Sequence, residues 1–483
     1  MSDGDDILDL VAGPTLRDRP LSGHMDAISL TASYDFSRAE YENGGPALRA
    51  TRTVRHETTH AYQTLATSYG YYFQLIKQFQ TSRVLHLLAG LDALGEDPAP
   101  PLITQIARQR GDRWRQLRIE LYAWYLAEVV LIHLEGEQEH WTRVLLENPA
   151  FAGRTFPDLY VELEELLVLW LTDLGHRVGV APGAPRQSSP ALDLHLRALT
   201  DNGSTAAVLE SAAHISEHWR VYPSDLETLA RQLPGSTQYS SWIRWALAAG
   251  FTDDPAAFCL TFSAVADLAL NGALLPHQAG FRRPGYDANS VSPPHRMFLA
   301  IGNLGRGNLS PIRDLATEYV PFVQALCDRL EWPLPWEMAR FVVPSLPETG
   351  QLDPLGEIFR FSQELRLNVP YAFVDLDIWS IDGPLARKFR HAFVHPVIQF
   401  SDQVLHHQDQ DIPAYAVLNH ALGTYLRQLM IVGNQPVRLP LRAGAEELAF
   451  YQDLLERHLA ATIGLLDPRI TLESAPPSIN GVH

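Results

Sequence analysis

Cysteine is nearly absent from this chain: there are two in 483 residues, Cys259 and Cys327. Both fall in apolar helical patterns, so they read as buried thiols and exclude a disulfide framework or a cysteine metal knot. Positive charge is also short, with 38 basic against 56 acidic residues and a formal net charge of -18. That balance argues against a nucleic-acid surface and for ordinary acidic-protein solubility. Long uncharged apolar runs are missing. The run 121–134 contains Glu128 and His133, and the run 258–275 contains Asp267, so neither reads as a membrane span. The first residues, Met1-Ser2-Asp3-Gly4-Asp5-Asp6, show no basic segment followed by an apolar one, hence no visible signal peptide. A soluble, cytoplasmic protein without nucleic-acid or membrane partners is expected. There is no internal repeat, no low-complexity tract, no Walker loop, no G-x-S-x-G elbow and no dinucleotide fingerprint.

What is present is a large apolar fraction, 46%, enough for a sizeable core in two to four domains or one large helical body. Periodicity predicts a helix over about 47–80, kinked or interrupted at Gly70, and a short helix over 81–92. After the linker 96–101, an aromatic-rich helix runs from Ile103 to about Leu134 and another covers 157–174. The loop 181–190 and the turn Asp201-Asn202-Gly203 lead to Ser204, an N-cap for a helix over 205–217. Further helices are expected at 242–247, 258–270, about 311–331, 354–365, 413–430 and 444–464. Strands are expected within 27–34, 371–378 and 394–400, and the tail from Ile470 reads as frayed. The chain therefore reads as mainly α with a small β element. A soft boundary near 290 separates a helical metal-site domain, 1–290, from a mainly helical C-terminal domain, 291–483, suited to selecting a substrate or partner.

The chemistry concentrates in Val54-Arg55-His56-Glu57-Thr58-Thr59-His60-Ala61-Tyr62, an H-E-x-x-H motif. On a helix, His56 and His60 share one face about one turn apart and can hold one metal ion. Glu57 lies on the rim of that face, where a carboxylate can take a proton from a metal-bound water. The flanks suit a buried helix: Thr58, Thr59 and Ala61 are uncharged, Val54 is apolar, and Tyr62 offers a ring for packing.

A catalytic zinc site takes three protein ligands and a water. Glu210 is the leading third ligand, because Glu210, Ala213, His214 and Glu217 share one face of an alanine-rich helix that can approach another closely. Glu120 and Glu128 on the aromatic helix are the rivals. His214 can ligate or can orient Glu210, and Glu217 can receive the N–H of His56 or His60. Tyr222, His218, Arg282, Arg283 and Tyr286 are oxyanion-donor candidates by position alone. Two other sets remain. His391, His395, His406 and His407 read as ordinary surface histidines, and Glu137-Gln138-Glu139-His140 offers a second Glu-x-x-His unit for a di-iron site that Gly136 disfavours.

These two blocks resemble the gluzincin branch of zinc metallopeptidases. More narrowly, they resemble a group of poorly characterised bacterial proteins. In those, the motif helix continues into a Gln and a Thr/Ser-x-x-Gly element, here Gln63 and Thr67-Ser68-Tyr69-Gly70. The later helix follows a Gly with Glu-x-x-Ala and a further Glu, here Gly203, Glu210, Ala213 and Glu217. The resemblance implies a multi-helical zincin-like core and one zinc ion on His56, His60 and Glu210. It implies Glu57 as general base and a peptide or protein substrate whose amide bond is hydrolysed. Iron on the same ligands, in an oxygenase or peptide-modifying enzyme, is the alternative, as is an inactive zincin-like binding protein. Glu210 lies 150 residues beyond His60, which requires a large helical insertion between the two blocks.

Overall fold

The computed structural model describes residues 23–26, 31–34, 36–43, 49–135, 143, 150–151, 153–178, 204–218, 221–233, 237–282, 286–287, 291–305, 309–348, 351–374, 397–399, 404–406, 411–441, 445–462 and 470–474. Over these residues the chain is mainly helical, with two small sheets. It opens with β1 (Gly23–Asp26), β2 (Thr31–Tyr34), α1 (Arg38–Glu42), α2 (Arg49–Ala66), α3 (Ser68–Ala93), α4 (Leu102–Ala107), α5 (Arg115–Glu135) and α6 (Phe156–Asp173). It continues through α7 (Thr205–Ser216), α8 (Leu226–Gln232), α9 (Thr237–Ala249), α10 (Pro255–Leu270), α11 (Pro293–Gly305), α12 (Leu315–Leu330), α13 (Pro335–Ser345) and α14 (Pro354–Asn368). The remainder is β3 (Val397–Gln399), β4 (Val404–His406), α15 (Asp411–Ile431), β5 (Val437–Leu441), α16 (Ala445–Thr462) and β6 (Ile470–Ser474). Among the described residues, no helix is long and apolar enough to cross a membrane.

The chain divides into two compact units, each discontinuous in sequence. The larger holds residues 39–79 and 125–396, and the smaller holds 1–38, 80–124 and 397–483. The boundary expected near 290 falls inside the larger unit. In the smaller unit, a four-stranded sheet runs in the order β1-β2-β3-β4, with β2 and β3 parallel and the outer pairs antiparallel. A second sheet pairs β5 with β6 in parallel, Val437 opposite Ile470. Parallel neighbours need a crossover connection, and α16 supplies it while packing on β6 and α15.

The larger unit is built around α10, which buries 13 of its 16 residues. A helix buried on nearly every side belongs at the centre of a core. Its one charge, Asp267, meets Arg366 at 2.7 and 3.0 Å and receives the Tyr319 hydroxyl at 3.2 Å, so the buried carboxylate is paired and bonded. Around it, α7 packs on α2, α9 and α10, and α2 packs also on α14. The start of α7 is fixed twice. Ser204 caps it by accepting from the Ala207 amide at 3.1 Å, and the Thr205 hydroxyl donates to the Leu134 carbonyl at the end of α5.

The expected long motif helix is two helices. α2 stops at a bend on Thr67, three residues before Gly70, and Thr67 Oγ1 accepts from the Gly70 amide at 3.0 Å. A Cβ on Gly70 would lie 2.3 Å from the Thr64 carbonyl oxygen and 2.4 Å from that of Gln63. Glycine is therefore required for α3 to restart so close to the end of α2. α3 then runs unbroken to Ala93, because nothing in Gln80-Thr81-Ser82 stops a helix. The expected aromatic helix is interrupted at Gly111, whose φ of 95° belongs to the left-handed region, before α5 begins. Residues 371–374 form turns where a strand is expected, and 375–378 lie outside the described residues. α11 and α13, which are not among the expected helices, begin on prolines, and proline is well placed in a first helical turn. The tail from Ile470, expected to fray, is strand β6, and its partner lies 33 residues upstream, where no local pattern reveals it. Cys259 and Cys327 are buried free thiols, as expected.

Candidate metal centre

α2 and α7 bring His56, His60 and Glu210 together. His56 Nε2 and His60 Nε2 are 3.1 Å apart. Glu210 Oε2 lies 3.5 Å from the first and 3.4 Å from the second. Among the described residues, no other three His, Cys, Asp or Glu side chains converge this closely.

The hydrogen bonds behind this triangle decide what the three atoms are. His56 Nδ1 faces Glu217 Oε1 at 2.9 Å, and a carboxylate only accepts, so Nδ1 carries the hydrogen. His60 Nδ1 faces Gln63 Oε1 at 2.9 Å. The Gln63 amide nitrogen donates to the Leu209 carbonyl at 2.9 Å, which turns its oxygen towards His60. His60 Nδ1 is therefore also a donor. In the neutral rings both Nε2 atoms are bare lone pairs, facing each other and a carboxylate oxygen. Glu210 Oε2 is buried without a hydrogen-bond partner. Three acceptors cannot satisfy one another, so the arrangement needs positive charge at its centre. For bonds of about 2.0–2.1 Å, tetrahedral zinc places its ligand atoms roughly 3.3 Å apart, close to the spacing found. The residues fit a divalent ion with histidine and carboxylate ligands.

A proton can take the same place. Burial opposes charge on His56, but the Glu210 and Glu217 carboxylates override it and raise the ring from 6.5 to about 10. Burial also opposes charge on His60, and Glu210 raises that ring in turn. Burial favours neutral carboxyls at Glu210 and Glu217. His60 and His56 nevertheless hold the first, and His214 and His56 the second, well below the usual range. The signs give a testable window for metal-free protein. A histidine raised on folding stabilises fully below its unfolded value of 6.5 and loses that contribution as pH rises through about 10. The two carboxylates contribute above 4.5 and lose their contribution as pH falls below it. Melting of metal-free protein should therefore be highest between these limits and fall towards pH 10, by on the order of a few kcal/mol. Because His56 must give up its proton to ligate, zinc affinity should rise about tenfold per pH unit for each proton displaced. Chelator-competition titrations at three pH values check the slope.

The other expected residues separate clearly. Glu217 takes the His56 N–H and also faces His214 Nδ1 at 3.2 Å, so His214 supports Glu217 and neither ligates nor orients Glu210. Glu120 lies in the smaller unit, bonded to Arg83 at 3.0 Å and Gln116 at 2.7 Å. Glu128 sits beside Tyr125 on α5 and does not join the group. Arg282 is buried, ion-paired to Glu164 and bonded to the carbonyls of Ala273, Leu274 and Leu275, which removes it as an oxyanion donor. Tyr286 lies against that guanidinium, 5.3 Å from ring centre to carbon. His218 Nδ1 is held by Arg52 at 2.9 Å, one turn before His56 on α2. Tyr222 is half-buried in the stretch between α7 and α8. Arg283, His391, His395, His407 and Glu137–His140 lie outside the described residues, and His406 ends β4. The role of Gln63 escapes the sequence reading, although its spacing of three from His60 places it on the same helix face. Comparison with protein-family models, curated proteins and solved structures finds no match to this chain.

Proposed function

We propose that the chain is a zinc-dependent peptidase with a zincin-like helical core. The observation that supports this reading is the triangle of bare acceptor atoms, with edges of 3.1, 3.4 and 3.5 Å, beside a buried glutamate on the same helix. His56, His60 and Glu210 hold the ion. When bound, zinc polarises the substrate carbonyl and lowers the pKa of a coordinated water. Glu57, next to His56 in sequence, accepts the proton of the attacking water and delivers it to the leaving amine nitrogen. One O–H bond and the amide C–N bond break, and one C–O bond and one N–H bond form. Glu217 and Gln63 hold the two imidazoles in the tautomer that ligation needs.

The test is elemental analysis of protein purified without added metal, coupled to a peptide-library cleavage assay with and without chelator. About one zinc per chain, with cleavage lost on chelation and restored by zinc, is the expected result. A histidine pair with one carboxylate also suits non-heme iron. Bound iron with oxygen-dependent turnover would overturn the hydrolytic reading, and so would a zinc protein that cleaves no peptide.

A further inference from the structure

Residues of α2, α7, α10 and the turn 371–374 line a partly open pocket of about 40 Å³. Thr59, Gln63, Thr67, Ser216, Ala266 and Asp267 are among its lining residues, so polar oxygens and apolar walls share the surface. Three of the lining hydroxyls have committed their hydrogens to backbone: Thr59 donates to the Arg55 carbonyl at 2.9 Å, Ser216 to that of Ala213 at 2.6 Å, and Thr67 to that of Gln63 at 2.5 Å. Asp267 is occupied by Arg366, Tyr319 and Asn271. What these hydroxyls have left is lone pairs. Gln63 spends its oxygen on His60 and one amide hydrogen on Leu209, and its second amide hydrogen is uncommitted. With the hydroxyls of Tyr62 and Ser263 also on the lining, a small occupant that can both donate and accept fits this surface.

We propose that this cavity is a binding site for about three ordered water molecules, and that their bonds steady Gln63 and through it the His60 ring. One water needs roughly 10–15 Å³ and two to four polar partners, and the cavity supplies both. Gln63 is then a positioning residue braced from two sides, by the Leu209 carbonyl and by water. Hydration of the cavity stands by itself; only its effect on zinc rests on the proposed metal site.

The test separates the two parts. In a high-resolution crystal structure of the full chain, ordered waters should lie within hydrogen-bond distance of Thr59 Oγ1, Ser216 Oγ or Gln63 Nε2, and xenon under pressure should not enter. Xenon density in place of water would show a dry apolar void and overturn the proposal. The filling variant Ala266→Val gives a second reading. A raised melting temperature would show a dry void filled and would overturn the proposal, so the temperature should not rise. In the zinc-loaded protein the same variant should release zinc about tenfold faster, the effect of loosening a group that orients a ligand. An unchanged release rate in a variant shown to have lost the waters would overturn the link to Gln63 while leaving the zinc site standing. Absence of zinc from the wild type would instead count against the metal reading alone.

Discussion

Glu210→Ala should purify with little or no zinc, and its affinity should fall by more than the roughly 10–100-fold that loss of a group supporting a ligand costs. Without Glu210 the site keeps two imidazole nitrogens 3.1 Å apart and loses the one oxygen that closes the triangle. The charge also changes: the acceptor whose pull raises His56 and His60 is gone, so both rings should titrate nearer the ordinary range. Without metal the variant also loses the carboxylate that faces His56 and His60 at 3.5 and 3.4 Å, so its metal-free melting temperature should fall at neutral pH. The sharp readout is the rise in melting temperature that added zinc gives the wild type and should not give the variant. Glu217→Gln is the comparison. It keeps all three ligands and exchanges the acceptor on His56 Nδ1, so zinc binding should weaken without vanishing. If Glu210→Ala retained its zinc while Glu217→Gln lost it, the ligand assignment would be wrong.

How much of this was legible in the sequence follows from the range over which each signal acts. His56, Glu57 and His60 are fixed by one helical turn, so their spacing declares them. Glu210 declares itself more faintly, through a carboxylate on an alanine-rich face whose small side chains let α7 approach α2. Glu217 was visible as a supporting group, but its choice of His56 over His60 was not, because that depends on the antiparallel alignment of two helices far apart in sequence. Gln63 bonds Leu209 from 146 residues away, which no local pattern encodes. The same limit explains the sheets. β5 and β6 are short and pair across a helix, and each alone resembles a loop. Arg282, which looks like an available cation beside a Gly- and Pro-containing loop, is spent on Glu164 and three carbonyls in the interior. Only burial distinguishes it from a catalytic arginine.

The supporting shell also bears on how the centre tolerates charge. His56 leans on a carboxylate, Glu217, and His60 on a neutral amide, Gln63. A second carboxylate at Gln63 would add an anion beside Glu210, Glu217 and Glu57. That would raise the basicity of His60 and make coordinated water less acidic. The amide orients the ring as well as a carboxylate would, without the added charge, and the Leu209 carbonyl fixes which way it faces.

Glu57→Gln should bind zinc as the wild type does and lose hydrolysis by about 10²–10⁴-fold, the usual contribution of a general base. The substitution keeps the size and the hydrogen-bonding reach of a side chain that is only 7% exposed, so packing of α2 is preserved. It removes the one function an amide cannot perform, which is to accept a proton at neutral pH. Glu57 is not among the converging ligand atoms, so the ion has no reason to leave. The loss should appear in kcat with little change in KM, because the proton moves only as the tetrahedral species forms and collapses. Glu57→Asp, which keeps the carboxylate but withdraws it by one methylene, should recover part of the rate. Three measurements on one preparation decide the matter: zinc content, kcat and KM on a cleaved peptide. Full zinc with kcat lost identifies Glu57 as the base. Full zinc with kcat intact would mean that the proton goes elsewhere, and the hydrolytic mechanism built on this helix would have to be abandoned.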